Sequence, residues 1–248
     1  MRVAAIYDIH GNLPALEAVL EDIRHAGVDR IVVGGDIVPG PMPCETLDCL
    51  SDLDVPVQFI QGNGEVEILE QLAGKDPASI PQQFREIVRW TAAQLHPKHK
   101  YLLASWPKTL GLEISGLGDV LFCHATPRNE NEVFTRRTPE DRLVPMFEGV
   151  NASLLVCGHT HMQFDRIVGK IRVVNAGSVG MPFGEPGAYW LLLGPDVKLR
   201  HTPYDVAKAA ERIRGTDYPH AQNFAARNVL QPPSEEEMLE VFAKAELK

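Results

Sequence analysis

Long apolar runs, paired cysteines and positive charge are all scarce in this chain, and each scarcity closes off a class of function. No hydrophobic stretch approaches the roughly 20 residues needed to cross a bilayer; the longest are short and bounded by glycine, proline or charge. No membrane span is expected. The four cysteines, Cys44, Cys49, Cys123 and Cys157, form no C-x-x-C pair and no disulfide framework. Cys123 and Cys157 lie in apolar, strand-like runs and read as buried free thiols, which suits a reducing, cytoplasmic compartment. Lys and Arg number 24 against 33 Asp and Glu, giving a formal net charge of −9. Such a chain exerts no general pull on nucleic acid or anionic membrane. An anionic substrate therefore needs a local positive centre. Repeats and low-complexity linkers are missing as well. The opening Met1–Tyr7 is too short for a signal peptide and runs directly into a chemical motif.

What is present reads as one α/β domain of 248 residues. Val3 to Tyr7 is a short buried-type strand. Asn12 is placed to cap a helix whose apolar positions Leu16, Val19, Leu20 and Ile23 recur at helical spacing, and Gly27 ends it. Ile31–Val33 and Val57–Ile60 are further strands, with a helix over Cys44–Ser51 between them. Alternating strands and helices predict a parallel sheet with ligands gathered at its carboxyl ends. Residues 66–107 lose the strand pattern and read as a helical insertion. Its aromatics Phe84, Trp90 and Trp106 either line a substrate pocket or pack the insertion onto the core. From Leu110 the chain is strand-rich, with a tight hairpin at Gly169-Lys170. Residues 204–248 read as a helical extension, with Ser234 and Glu237 forming a capping box. Apolar positions in the insertion and the tail leave a homo-oligomer open.

Five motifs fall just past apolar strands: Asp8 and His10 in D-I-H, Asp36 in G-G-D, Asn63 in G-N-G-E, His124 in C-H-A, and His159 and His161 in G-H-T-H. Residues two apart on extended backbone share a side, so Asp8 can reach one ion together with His10. His159 and His161 can serve one ion or two adjacent ones. Asp36 has two oxygens and can bridge, and Asn63 offers a neutral oxygen. Each motif alone is commonplace: a turn Asp, a strand-end His. Together, oxygen and imidazole donors at strand ends suit a pair of divalent ions.

On these motifs, and on N-A-G-S-V-G from Asn175, the chain resembles the calcineurin-like metallophosphoesterase superfamily, in its small bacterial and archaeal stand-alone phosphodiesterase-like branch. The resemblance spans Met1 to about Pro203. It implies a four-layer α/β/β/α sandwich, two mixed β-sheets flanked by helices. It also implies two divalent metal ions (Mn, Fe, Zn or Ni). One would be held by Asp8, His10, Asp36 and His161, the other by Asp36, Asn63, His124 and His159. Asp36, Asn63 and His124 are thereby the candidate catalytic residues. Two divalent ions bring four positive charges; Asp8 and Asp36 return two and a bridging hydroxide one, leaving a centre near +1 that attracts anions. The expected chemistry is in-line attack by the bridging hydroxide on a small phosphoester, with a nucleotide among the candidates.

Many relatives carry His then Asp after the metal-binding Asn, and that His is thought to assist the leaving group. Here those positions hold Gly64 and Glu65. Losing a general acid costs about 10²–10⁴-fold, least when the leaving group is good. A phosphodiester with an activated leaving group is thus favoured over a simple monoester. Glu65 has two readings: it orients a ligand histidine, or it is a helix-start carboxylate. Asn12, Arg128 and Asn175 are candidate substrate contacts. A phosphomonoesterase and a catalytically weak metal-binding scaffold are the competing functions.

Overall fold

A computed structural model describes residues 1–75 and 82–245. The chain opens with β1 (Val3–Ile6), α1 (Leu13–Ala26), β2 (Arg30–Val33), α2 (Pro43–Ser51) and β3 (Val57–Phe59). Three helices follow: α3 (Asn63–Leu72), α4 (Gln82–Gln94) and α5 (Pro97–Ser105). Next come β4 (Thr109–Ile114), β5 (Gly118–Cys123), α6 (Glu140–Leu143) and a 3₁₀ turn over Val144–Phe147. Strands β6 (Leu154–Cys157), β7 (Phe164–Val168), β8 (Ile171–Asn175), β9 (Ala188–Leu193) and β10 (Val197–Thr202) complete the sheets. The tail forms α7 (Val206–Arg214), α8 (Ala221–Phe224), a π-helical turn over Ala225–Leu230, and α9 (Glu235–Ala243).

The strands make two five-stranded sheets, ordered β10-β9-β1-β2-β3 and β4-β5-β6-β8-β7. Both are mixed. β1, β2 and β3 run parallel, as the alternation of strands and helices predicts, and β9 joins β1 antiparallel. β5, β6 and β8 are parallel, with β4 and β7 antiparallel at the edges. The Gly169-Lys170 hairpin is present, pairing Val168 with Ile171.

Period-two alternation in β1 sorts the layers. Ala4 and Ile6 face a core shared with Leu16, Val19 and Ile23 of α1. Val3, Ala5 and Tyr7 point the other way, into a second core between the sheets with Phe122, Val156 and Val174. A third core lies on the far face of the second sheet, where Cys123, Leu155 and Cys157 meet Leu143 and Phe147. The result is the expected α/β/β/α sandwich. All four cysteines are free, and Cys123 and Cys157 are buried. The insertion aromatics divide: Trp106 stacks on Phe59 at 4.7 Å, Trp90 meets Tyr218 edge-on at 5.3 Å, and Phe84 is exposed. Trp106 and Trp90 thus pack the helices onto the core. Among the described residues no helix is long and apolar enough to cross a membrane.

Tyr7 ties the two sheets together just before the first motif. Its ring is buried, and its hydroxyl donates to the Val156 carbonyl at 3.1 Å. The ring fits because position 34 has no side chain: a Cβ on Gly34 would lie 1.8 Å from the Tyr7 ring. Gly34→Ala is expected to lower stability by about 3 kcal/mol or more through overpacking, whereas Tyr7→Phe costs about 1 kcal/mol for one hydrogen bond. Urea midpoints of the two variants check the ordering.

Candidate metal centre

Asp8, His10, Asp36, His159 and His161 all have positive φ, between 48° and 66°, and among the described residues no other non-glycine does. This region is strained for L-residues and persists where the surroundings over-determine it. The expectation that Asp8 with His10, and His159 with His161, share a side through extended backbone is therefore corrected. β1 stops at Ile6 and β6 at Cys157, and left-handed residues follow. The turns are held by bonds between motifs. Asp8 N–H donates to the Gly35 carbonyl at 3.1 Å, His10 N–H to Asp36 at 2.9 Å, and Gly180 N–H to Asp8 at 3.0 Å.

Two of the imidazoles commit one ring nitrogen to the backbone. Nδ1 of His124 donates to the Gly34 carbonyl at 2.9 Å, and Nδ1 of His161 to Met181 at 2.8 Å. A carbonyl only accepts, so these nitrogens carry protons and the opposite ones offer lone pairs. The lone pairs face other acceptors. Nε2 of His10 and of His161 are 3.2 Å apart. Nε2 of His124 is 3.1 Å from Oδ1 of Asn63; the Asn63 side chain also opposes the rise that burial gives the Glu67 carboxyl.

The carboxylates complete the set. Oδ1 of Asp8 is buried without a hydrogen-bond partner, 3.3 Å from His161 Nε2 and 3.8 Å from His124 Nε2. Its Oδ2 accepts from His159 N–H at 2.9 Å. Asp36 divides its oxygens, Oδ1 lying 3.6 Å from His124 Nε2 and Oδ2 3.8 Å from His10 Nε2. Donor atoms of Asp8, His10 and His161 lie within 4.8 Å of one another, as do those of Asp8, Asp36 and His124. Around an ion holding nitrogen at about 2.0 Å, tetrahedral donors stand about 3.3 Å apart. The His159 ring adjoins the second group, 5.1 Å from that of His124.

The electrostatics point the same way. Burial, then Glu65 and Asp8, push Asp36 well above the usual carboxylate range. Burial also raises Asp8, but the charges of His161, His124 and His10 outweigh it and hold it below that range. His10 and His159 are each lowered to about 3, first by burial and then by a neighbouring imidazole, so both are neutral donors near pH 7. Burial lowers His161, yet Asp8 more than compensates and raises it. Carboxyls buried side by side cannot all ionise unless positive charge sits among them. Either a second proton on His161 or a cation meets that need, and a cation releases the proton.

Comparison with known proteins decides the family. Residues 1–194 match the calcineurin-like phosphoesterase superfamily domain. The chain belongs to this superfamily. It is 30% identical over 232 residues to an uncharacterized protein of Methanocaldococcus jannaschii, covering 85% of this chain and 91% of that one. It is 26% identical over 202 residues to phosphodiesterase YfcE of Escherichia coli, covering 77% and 87%. The crystal structure of a metallophosphoesterase from Sphaerobacter thermophilus superposes with a TM-score of 0.71 at 27% identity, over 92% of this chain and all of that one (100%). The superfamily implies metal ions, and the unpartnered Asp8 oxygen and the facing lone pairs fit them.

Gly64 and Glu65, where this chain departs from the superfamily pattern, have structural explanations. A Cβ on Gly64 would lie 2.4 Å from the Val38 carbonyl and 2.7 Å from Pro39 Cδ. A histidine has no room there. The Gly64 N–H instead donates to Asp36 Oδ1 at 2.8 Å. Glu65 is buried at the third position of α3 and accepts four backbone N–H bonds: from Asp36 and Gly62 at 2.8 and 2.7 Å, and from Ile37 and Val38 at 2.9 and 3.2 Å. It bonds no ligand histidine, which corrects that reading. It holds the loop carrying Asp36. Burial raises its pKa, while its N–H donors oppose the rise. It is also a third buried carboxyl, absent from the charge count made on Asp8 and Asp36 alone.

Of the three expected substrate contacts, two are buried and bonded within the scaffold. Asn12 is fully buried; it accepts from Ala15 N–H as a helix cap and donates to the Gly180 carbonyl at 2.9 Å. Asn175 is fully buried too, donating to the Gly158 carbonyl at 2.6 Å and accepting from Gly177 N–H at 2.8 Å. Both brace ligand-bearing turns. Arg128 is exposed but already engaged by Glu132 in a two-pronged ion pair, with contacts of 2.6 and 2.8 Å. Sequence reasoning missed Glu67, whose signal is its position one helical turn after Asn63. Glu65→Gln leaves one acceptor oxygen for four donors. Stability is expected to fall by about 2–3 kcal/mol and metal affinity by about 10–100-fold, read by urea denaturation and metal titration. Asn175→Ala is expected to lower metal retention while leaving KM for a small ester unchanged, as steady-state kinetics will show.

Proposed function

We propose that this chain is a dinuclear metal-dependent phosphoester hydrolase, with Asp36 as the shared ligand. One ion takes Asp8, His10, Asp36 and His161; the other takes Asp36, Asn63, His124 and His159. The supporting observation is the set of acceptors aimed at one another: His10 against His161 at 3.2 Å, His124 against Asn63 at 3.1 Å, and the unpartnered Asp8 Oδ1 between the groups. Asp36 supports its bridging role by turning one oxygen to each group. Residues 1–248 are read as one domain, the helices over 66–107 and beyond 204 being additions to it.

Bound divalent ions supply an acidified water and positive charge for phosphoryl oxygens. The chain's own residues do the rest. Asp36 sets the spacing of the two donor groups. Glu65 and Gly64 fix its loop. The backbone carbonyls of Gly34 and Met181 hold the His124 and His161 imidazoles in one orientation. His124 and His161 each have one nitrogen on the backbone and the other in the donor set, so neither is spare as a proton donor. Position 64, where many relatives carry a histidine, cannot supply one either. A substrate whose leaving group departs without protonation is therefore preferred, which favours diesters with activated alcohols. The similarity to phosphodiesterase YfcE agrees with that preference.

The test is hydrolysis with Mn²⁺ of a bis-aryl phosphate against the mono-aryl phosphate. Faster turnover of the diester is expected, and faster monoester turnover would overturn the preference. His124→Ala is expected to reduce kcat/KM by more than the roughly 100-fold that outer residues reach, and a chelator to abolish turnover. Unchanged hydrolysis in either case contradicts the metal mechanism.

A further inference from the structure

The tail lies beyond the residues that match the superfamily, yet it reaches the candidate centre. The Phe183 ring stacks on the His161 imidazole, with centroids 5.4 Å apart and planes within 19°. Behind Phe183 stands Phe242 of α9 at 6.0 Å. Met162, Phe183 and Leu239 form a small buried cluster of their own, with Met238 and Phe242 packed against it. Helix α9 is fastened to the walls on either side. Arg136 pairs with Glu235 at 2.7 Å and Arg137 with Glu236 at 2.6 Å, both arginines lying on the segment that follows His124. The Pro233 carbonyl accepts from Gly184 N–H at 2.8 Å, next to Phe183 itself.

His161 needs such support. Its backbone is left-handed, with φ of 57°. A hydrogen bond to Met181 fixes one edge of the ring, but one bond leaves the ring free to swing about it. An aromatic face stacked on the imidazole removes that freedom. Among the described residues, His161 is the ligand histidine stacked by a ring from outside the donor set.

We propose that α9 is a working part of the metal centre: through Phe242 and Phe183 it holds the His161 ring in its ligand orientation. Phe183 is a positioning residue, and it acts on one ion more than on the other. The ion held by Asp8, His10 and His161 depends on the tail, whereas the one held by Asn63, His124 and His159 does not. This rests on the two-ion reading above.

Cobalt titration of the metal-stripped protein, followed by the visible absorption of bound Co²⁺, tests it. Wild type is expected to take up two ions; uptake of none or one contradicts the two-ion reading before any variant is made. Phe183→Leu and Phe242→Ala are expected to weaken one ion by about 10–100-fold and to leave the other at wild-type affinity. Phe183→Tyr, which keeps the ring, is expected to restore both. Phe242 lies outside the donor set, so its substitution tests the linkage if Phe183→Leu fails to fold. Two wild-type affinities in both leucine and alanine variants overturn the proposal, as does an equal weakening of both ions.

Discussion

Asp8, Asp36 and Glu65 are buried within one small volume, and the structure around them is organised by what that burial costs. An unpaired buried carboxylate is expensive, so each oxygen needs an answer. Glu65 is answered by four backbone amides, Asp8 Oδ2 by His159 N–H, and Asp36 Oδ1 by Gly64 N–H. What stays open is Asp8 Oδ1, Asp36 Oδ2 and the lone pairs of the imidazoles. These all face inward. Backbone amides satisfy the outward-facing acceptors, and the inward-facing ones form clusters that could hold cations.

The fold delivers this by ending its parallel strands together. β1, β2 and β3 in one sheet and β5 and β6 in the other all stop just short of a donor. Tyr7 and Gly34 bring the two sheets into register at that end. Left-handed residues then turn the side chains across the gap, and each turn is tied to a neighbouring motif. Asp8 illustrates the economy of the arrangement: its backbone bonds Gly35 and Gly180, and its side chain holds the turn of His159.

Much of this was legible in the chain. Apolar runs ending in a carboxylate or imidazole pick out Asp8, His10, Asp36, His124 and His161, whose donor atoms the structure brings together, because the end of a buried strand is written in residue type. Most strand bounds follow from the same apolar runs, whereas the layer order comes from the family resemblance. The turn geometry was not legible. Asp and His at positive φ are rare, and extended alternation was the natural expectation for D-x-H; only contacts from distant motifs impose the alternative. Asn12 and Asn175 are hard to place from sequence for a related reason. A polar residue beside a motif either meets substrate or braces the scaffold, and burial, which depends on the partner element, decides. Gly64 was read by what it lacks, but its small size answers the approach of Val38 and Pro39. Within the tail, Val206–Arg214 carries an Asp205 cap, an apolar face at Ala209, Ala210 and Ile213 and basic residues in its last turn, whereas the short turns over Ala221–Leu230 carry little local signal.

On the proposed reading the four histidines are committed as metal ligands and position 64 supplies no imidazole, which is the basis for preferring diesters. All of this depends on two cations lying where the acceptors converge. Anomalous diffraction from manganese-soaked crystals measures that directly. Two peaks are predicted, one among Asp8, His10 and His161 and one among Asn63, His124 and His159, with an Asp36 oxygen beside each. A single peak, or peaks away from Asp36, would contradict the account.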